Sequence, residues 1–412
     1  MKLLLAGRRV VELGTMLAAP FAGHILSQLG AEVIKVEPPS GDPTRTLVRG
    51  GPGGTFIAYN HGKQSLCIDL GTTEGQAVFA KLLASADILV HNLSPHSTRR
   101  LRVTFDDCQR ANPELVYCHI RGYGRGPLED ELASNPVAEA ATGVMDANRV
   151  NGRPSRLGPS YHDQFAGAYA VIGILAALFR PAGRNVNRPV EIGLYETGLH
   201  VAARDLVGVQ LKTHLFGRPE REPSGEFSMP GYGAFETSDG RWAYLLMLND
   251  GHWAKFCQAL SLPEAEDDTL TTLRQRRKRF EHVEGVVKSA VASLSFDALA
   301  ARLGSIGFGF TEVLPAERVL ESPQARQPGK LSHMEFGGIP FDVPDFPCSD
   351  GSDTGDSSFP PQRLGEQTIE ILRSIGIPDA ECQALLERGV VAVPKQTEAL
   401  WAPVKPKRED SA

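Results

Sequence analysis

The sequence predicts an α/β protein in which a doubly wound, Rossmann-like parallel sheet forms a large domain and a smaller α+β domain is inserted into it. Two observations carry this. Strand patterns alternate with helix patterns over roughly the first 220 residues, and beyond them the texture changes to a hairpin followed by consecutive helical segments. At 412 residues the chain also exceeds the usual size of one core. The large domain is therefore placed at 1–220 and the small one at 221–330, with 331–412 returning to the large domain.

RRVVELG reads as a strand, FAGHILSQLG as a helix with Ile25, Leu26 and Leu29 on one face and Gly30 at its end, and AEVIKVE as a second strand. The alternation continues through TTEGQAVFAKLLASAD (helix), DILVHN (strand), FDDCQRANPE (helix) and LVYCHIRGYG (strand). Strands alternating with helices imply a parallel sheet covered on both faces. After a Gly-Pro-Ser bend at 158–160 a strongly apolar helix starts near Asp163, and RPVEIGLYETGLHVAA gives another strand and helix.

EREPSGEFSMPGYG is a connection rich in Pro, Gly and Ser. GAFETSDGRWAYLLML is expected to form a hairpin turning at Ser238, Asp239 and Gly240. HWAKFCQALSL, TLRQRRKRFEHVEGVVKSAVASL and FDALAARLGSIG have apolar residues at helical spacing, the second as one helix whose basic residues Arg274, Arg276, Arg277, Lys278 and Arg279 form a solvated face. The stretch 346–362 is a polar surface connector, followed by helical GEQTIEILRSIG, PDAECQALLERGVV and a polar tail.

Composition excludes several classes. Net charge is −6 and no basic run dominates, which argues against a nucleic-acid or anionic-membrane surface. The six cysteines lack a CxxC pair and the histidines lack ligand spacing, so no disulfide framework or metal site is expected. No apolar run reaches the length of a membrane-spanning helix, and MKLLLAGRR is too short for a signal peptide, which makes a cytoplasmic protein the expectation. Gly122, Gly124 and Gly126 miss the dinucleotide spacing, and P-loop, zincin and hydrolase signatures are absent.

What remains is the carboxylate at the head of YHDQFAGAYAVIGILAALF. Asp163 is readable as a helix N-cap, whose side chain accepts backbone N–H bonds at the positive end of the macrodipole. The same physics suits a nucleophile, because a carboxylate held ionised beside Ala166, Gly167 and Ala168 leaves room for a ligand.

Several segments in order carry a resemblance: VVELGTMLAAPFAGHILSQLGAEVIKVEPPSGDPTR, KQSLCIDLGTTEG, HNLSPHSTRRL, NPELVYCHIRGYG, DQFAGAYAVIGILAAL and RLGEQTIEIL. The chain resembles the family III CoA-transferases, the group that includes formyl-CoA, carnitine and benzylsuccinate CoA-transferases and the related α-methylacyl-CoA racemases. The resemblance implies that Asp163 is the nucleophile and that coenzyme A enters as a thioester substrate, with no tightly bound cofactor. Its partners are then an acyl-CoA, succinyl-CoA or another dicarboxylyl-CoA among the candidates, and a carboxylic acid. It also implies an interlocked homodimer, with a heteromer containing a paralogous subunit as the alternative assembly.

By the same resemblance Leu17, Ala18, Ile68, Asp69, Leu70, Gly71, Asn92, Leu93, Arg100 and Asn135 are expected at the CoA, with Arg100 as phosphate partner. Pro38 and Leu132 depart from members that carry basic residues there. Pro230, Gly231, Tyr232 and Gly233 stand where the family has a glycine-rich lid over the site. Arg45, Arg49 and Arg218 are candidates for a second substrate carboxylate. Two other readings are a racemase, which needs a second base where this chain has Ser134, and a non-catalytic CoA-binding subunit in which Asp163 serves as a helix cap.

Overall fold

The computed structural model describes residues 4–47, 53–179, 188–217, 229–348 and 359–394. In chain order, β1 (Arg9–Leu13), α1 (Ala18–Gln28), β2 (Glu32–Glu37), α2 (Gly54–Asn60) and β3 (Gln64–Ile68) are followed by α3 (Thr73–Ala84) and β4 (Ile88–His91). Next come α4 (Pro95–Arg100), α5 (Phe105–Ala111), β5 (Val116–Arg121), α6 (Asn135–Ala141) and α7 (Val144–Ala147). A two-residue pair β6 (Arg149–Val150) and β7 (Arg153–Pro154) precedes α8 (Tyr161–Leu178), β8 (Val190–Gly193), α9 (Leu194–Val201) and α10 (Ala203–Phe216). The remainder holds β9 (Gly233–Glu236), β10 (Trp242–Leu245), α11 (Asp250–Leu260), α12 (Leu273–Lys278), α13 (Phe280–Ala292), α14 (Phe296–Gly304), β11 (Phe310–Glu312) and α15 (Ala316–Glu321). It ends with β12 (Leu331–Phe336), β13 (Ile339–Pro344), α16 (Thr368–Ser374), α17 (Asp379–Glu387) and β14 (Val391–Ala392).

Packing divides the chain into two units, one of residues up to 206 together with those from 328 onward, the other of 207–327. In the first unit a seven-stranded sheet has the order β14-β3-β2-β1-β4-β5-β8, parallel except for β14, which runs antiparallel to β3. Alternation along each strand feeds two cores. Val11, Ile34 and Leu66 face α3, α5, α16 and α17 on one side, whereas Val10, Val33, Val90 and Cys118 face α1 and α8 on the other. Gly30 closes α1 at φ 95°, a left-handed position that glycine adopts without steric cost. The strand order reverses between β1 and β4, and the carboxyl ends at such a switch point are the usual ligand position in these sheets.

The second unit pairs β9, β10 and β11 in one antiparallel sheet against α11, α13 and α14. The β9–β10 turn closes where the N–H of Gly240 donates to the carbonyl of Thr237. The single helix expected over TLRQRRKRFEHVEGVVKSAVASL is two: α12 stops at Lys278, and α13 starts at Phe280. Arg276 turns inward to Asp250 and to the carbonyls of Leu270 and Thr271, so the basic run is not uniformly solvated. The positions 349–358 of the expected connector and the tail from 395 lie outside the described residues.

Beneath the β1–α1 loop lies a buried charge cluster. Lys35 Nζ meets Glu12 Oε1 at 2.9 Å and Asp42 Oδ2 at 3.0 Å and donates to the Gly14 carbonyl; Lys63 Nζ meets Glu12 Oε2 at 2.6 Å and donates to the Pro20 carbonyl. Burial alone would lower the pKa of Lys35, but Glu12, Asp42 and Glu37 outweigh it and raise the group above its ordinary value. Lys63, with burial dominant and Lys35 nearby, falls to about 8. Glu12→Ala leaves both lysines underpaired and should cost about 3–5 kcal/mol in urea unfolding, whereas Arg8→Ala, which removes the exposed pair with Asp87, should cost under about 1 kcal/mol. Equal losses would show that the cluster is not needed for stability.

Candidate active site

Asp163 is the third residue of α8, and Ser160 occupies the N-cap position without a side-chain capping bond. The reading of Asp163 as the cap residue is thereby corrected. Capping comes from another helix: Asn135 Oδ1 accepts from the backbone N–H of His162 at 2.9 Å and of Asp163 at 3.3 Å, satisfying two donors that every helix start leaves open. Asn135 Nδ2 donates to Glu139 Oε1, and Glu139 Oε2 accepts from the N–H of Leu157 at 3.2 Å.

Among the described residues no hydrogen bond reaches the Asp163 carboxylate. Burial raises its pKa to about 6; Arg156 pulls it down and Glu139 adds to the rise. The sequence expected a helix terminus to keep this carboxylate firmly ionised, and desolvation works against that. His162 is turned into the protein, its Nε2 3.4 Å from Thr142 Oγ1, where a Cβ on Gly198 would stand 2.6 Å away. It does not face Asp163 as a second base. Ser134 is the N-cap residue of α6.

One turn beyond Asp163, Gly167 lets α8 approach α1: a Cβ there would lie 2.7 Å from the Ala18 carbonyl and 3.0 Å from Phe21. The start of α1, at Leu17 and Ala18, is thus packed against Gly167, four residues along α8 from Asp163. Asn92, just past β4, binds Thr15 twice, accepting from its N–H at 3.0 Å and donating to its carbonyl at 2.8 Å. Leu93 follows, its carbonyl bonded to His119 Nε2. Ile68 and Leu70 are core residues, while Asp69 Oδ1 caps the exposed Gly71. Nine of the ten residues expected at the CoA therefore lie at or beyond the carboxyl ends of β1, β3 and β4, counting Ile68 at the end of β3, Ala18 at the start of α1 and Arg100 at the end of α4. The tenth, Asn135, is 2% exposed and spends its amide on α8 and Glu139.

Arg100 is exposed and makes no ion pair or side-chain hydrogen bond among the described residues, in contrast to its neighbour Arg99, paired with Asp130. Pro38 and Leu132 are exposed. Arg45 is corrected as a substrate ligand: its guanidinium is held by both oxygens of Glu37, at 2.7 and 2.6 Å, and lies over the Phe56 ring. Arg49 and Arg218 lie outside the described residues. In the second unit Pro230 and Gly231 are buried, Gly231 N–H donates to Glu284, and Gly233 opens β9, so this segment is a packed turn rather than a free glycine loop. Two residues near Asp163 escaped the sequence reading. Glu139 had a signal, its helical i, i+4 spacing from Asn135. Arg156, in the bend before α8, had none.

In α/β sheets of this kind ligands bind at the switch point, and a desolvated carboxylate can act as nucleophile. The chain belongs to CoA-transferase family III, whose family model matches residues 5–368, and it is a CoA-transferase. It is 30% identical over 330 residues to succinyl-CoA–D-citramalate CoA-transferase of Chloroflexus aurantiacus, covering 77% of this chain and 81% of that one. It is 29% identical to succinyl-CoA:glutarate CoA-transferase of Homo sapiens, covering 94% of this chain and 90% of that one. A CAIB/BAIF family protein from Brucella suis superposes with a TM-score of 0.80 at 26% identity, over 90% of this chain and 99% of the other. No described helix is long and apolar enough to cross a membrane.

The raised pKa of Asp163 has a stability consequence. A carboxyl whose folded pKa exceeds its unfolded value binds more protons when folded, so its stabilisation is full below about pH 4 and is lost as pH rises through about 6. Asp163→Asn removes that loss. Relative to the native chain the variant should gain stability between pH 4 and 7, by up to about 3 kcal/mol, in urea unfolding followed across pH. A pH-independent difference would contradict the raised pKa.

Proposed function

We propose that the chain transfers CoA between a dicarboxylyl-CoA, with succinyl-CoA as the first candidate, and a second carboxylic acid by covalent catalysis at Asp163. The observation that carries this reading is a desolvated carboxylate, free of side-chain partners among the described residues, one helix turn from the contact of Gly167 with α1. The choice of donor is supported by the two relatives that use succinyl-CoA by name.

The chemistry balances without proton transfer. A carboxylate oxygen of Asp163 attacks the thioester carbon, the C–S bond breaks, and CoA leaves as thiolate, giving a mixed anhydride. The thiolate then attacks the aspartyl carbonyl and expels the donor's acid, leaving an aspartyl-CoA thioester. The acceptor carboxylate attacks that thioester, CoA leaves again as thiolate, and it finally attacks the acceptor's acyl carbon to release the new thioester and the aspartate. Each intermediate keeps the acyl group activated. A serine ester would not, which is why the position calls for a carboxylate.

CoA lies, in this reading, across the loops after β1, β3 and β4, with the unpaired Arg100 on a phosphate. Arg156 supplies positive charge near Asp163 and is the candidate for the donor's distal carboxylate. A second copy of the chain is proposed as partner, supported by exposed apolar side chains on α8 (Phe165, Ile172) and α10 (Leu211, Leu215).

Two experiments test the reading. Protein incubated with succinyl-CoA and a small panel of other acyl-CoAs, then quenched with hydroxylamine, should carry a hydroxamate on Asp163 in peptide mass spectrometry. Asp163→Asn should bind CoA but turn over nothing; a folded Asp163→Asn that still exchanges CoA would end the covalent mechanism. Arg100→Ala should raise the KM for acyl-CoA about tenfold, equivalent to ~1.4 kcal/mol, with kcat nearly unchanged. An unchanged KM would remove Arg100 from the phosphate site.

A further inference from the structure

Glu139 has no part in the reaction as written, yet its side chain is 0% exposed and sits against the support of the nucleophile. Its two oxygens both act as acceptors, one from Asn135 Nδ2 and one from the Leu157 N–H. An asparagine amide can take two orientations that exchange its donor and acceptor. Only one of them offers oxygen to the N–H groups of His162 and Asp163, and a neighbour that accepts, as Glu139 does, selects it.

We propose that Glu139 is a positioning residue for Asp163: it locks the Asn135 amide in the orientation that seats the first turn of α8 and places a fixed negative charge behind the nucleophile. This rests on the reading of Asp163 as nucleophile. Among the described residues, the charged groups acting on Asp163 are Arg156 from the preceding bend and Glu139 from α6, and His162 is its titratable neighbour on α8. Burial lowers the pKa of His162 and Glu139 acts against it; at Asp163 burial raises the pKa, Arg156 lowers it and Glu139 raises it. The fixed charge repels the ionised ground state of Asp163 but not its neutral anhydride or thioester. It therefore acts selectively on the step in which negative charge leaves Asp163 and departs with the CoA thiolate.

The test uses the full-length protein labelled with 13Cγ-aspartate, the Asp163 resonance being assigned by its loss in Asp163→Asn. Three variants are compared: Glu139→Gln, Asn135→Asp, and the double variant that exchanges the two chemistries. Glu139→Gln should move the Asp163 titration midpoint down by about half to one pH unit. With succinyl-CoA and glutarate it should lower kcat roughly tenfold while leaving KM within about twofold. Asn135→Asp, which sets two carboxylates against each other, should lose most activity. In the double variant the aspartate accepts from α8 and the glutamine amide donates to it, so the midpoint should return to or above the native value and kcat should recover to within about threefold.

An unmoved midpoint in Glu139→Gln overturns the proposal, as does a folded double variant no more active than the weaker single. If a single variant does not fold, the double decides by the same two readouts. A native protein that never yields the Asp163 hydroxamate defeats the underlying nucleophile reading, whereas a labelled Asp163 with an unmoved midpoint defeats this inference alone.

Discussion

The loop between β1 and α1 depends on how the buried charges Glu12, Lys35, Lys63 and Asp42 are matched. Removing a charge from water costs several kcal/mol, and a partner returns that only with good geometry and with its remaining donors used. Here the lysines use theirs on backbone: Lys35 on the carbonyl of Gly14, Lys63 on that of Pro20. Asp42 accepts from the N–H of Met16, whose φ of 66° is costly for a residue with a side chain. The cluster thus ties down both sides of a strained loop, and Asn92 grips Thr15 from the neighbouring strand. A loop leaving a strand is ordinarily mobile; this one is bound from below and from the side.

That rigidity becomes useful through the contact between α1 and α8. Ala18, Ala22, Ala166, Gly167 and Ala170 are all buried there, and such small side chains bring two helix backbones close. A carboxylate one turn from this contact inherits its position from the loop and the cluster behind it. The electrostatic setting then follows from who caps the helix. Because Asn135 takes the N–H groups that Asp163 might have used, the carboxylate is left desolvated without compensating bonds, and its proton affinity rises. The result is a more basic carboxylate, at some cost in stability near neutral pH.

Much of the architecture was legible because it rests on local periodicity. The βαβ opening, Gly30 at the end of α1 and the β9–β10 hairpin each follow from a few adjacent residues. Arg45 shows the limit. As a sequence feature it was a free cation for a substrate; in the fold it closes on Glu37, eight residues back, with Phe56 beneath it. Arg276 likewise looked like one of five equivalent surface charges and is the one that turns inward, an asymmetry set by Asp250 on a different helix. Asn135 was expected at the ligand and is committed to α8, 27 residues away in sequence.

By itself the sequence determined the family, the alternation of strands and helices, and the identity of the conspicuous carboxylate, since these depend on residue type and short-range spacing. Only the tertiary structure decided what each polar group is bonded to. Strand order brings Asn92 to Thr15 and Lys63 to Glu12, and helix packing brings Asn135 and Glu139 behind Asp163. Hydrogen bonds and ion pairs act over about 3 Å, a range in which residues distant along the chain meet only after the sheet and helices have closed, so their pairing is a property of the fold rather than of any segment.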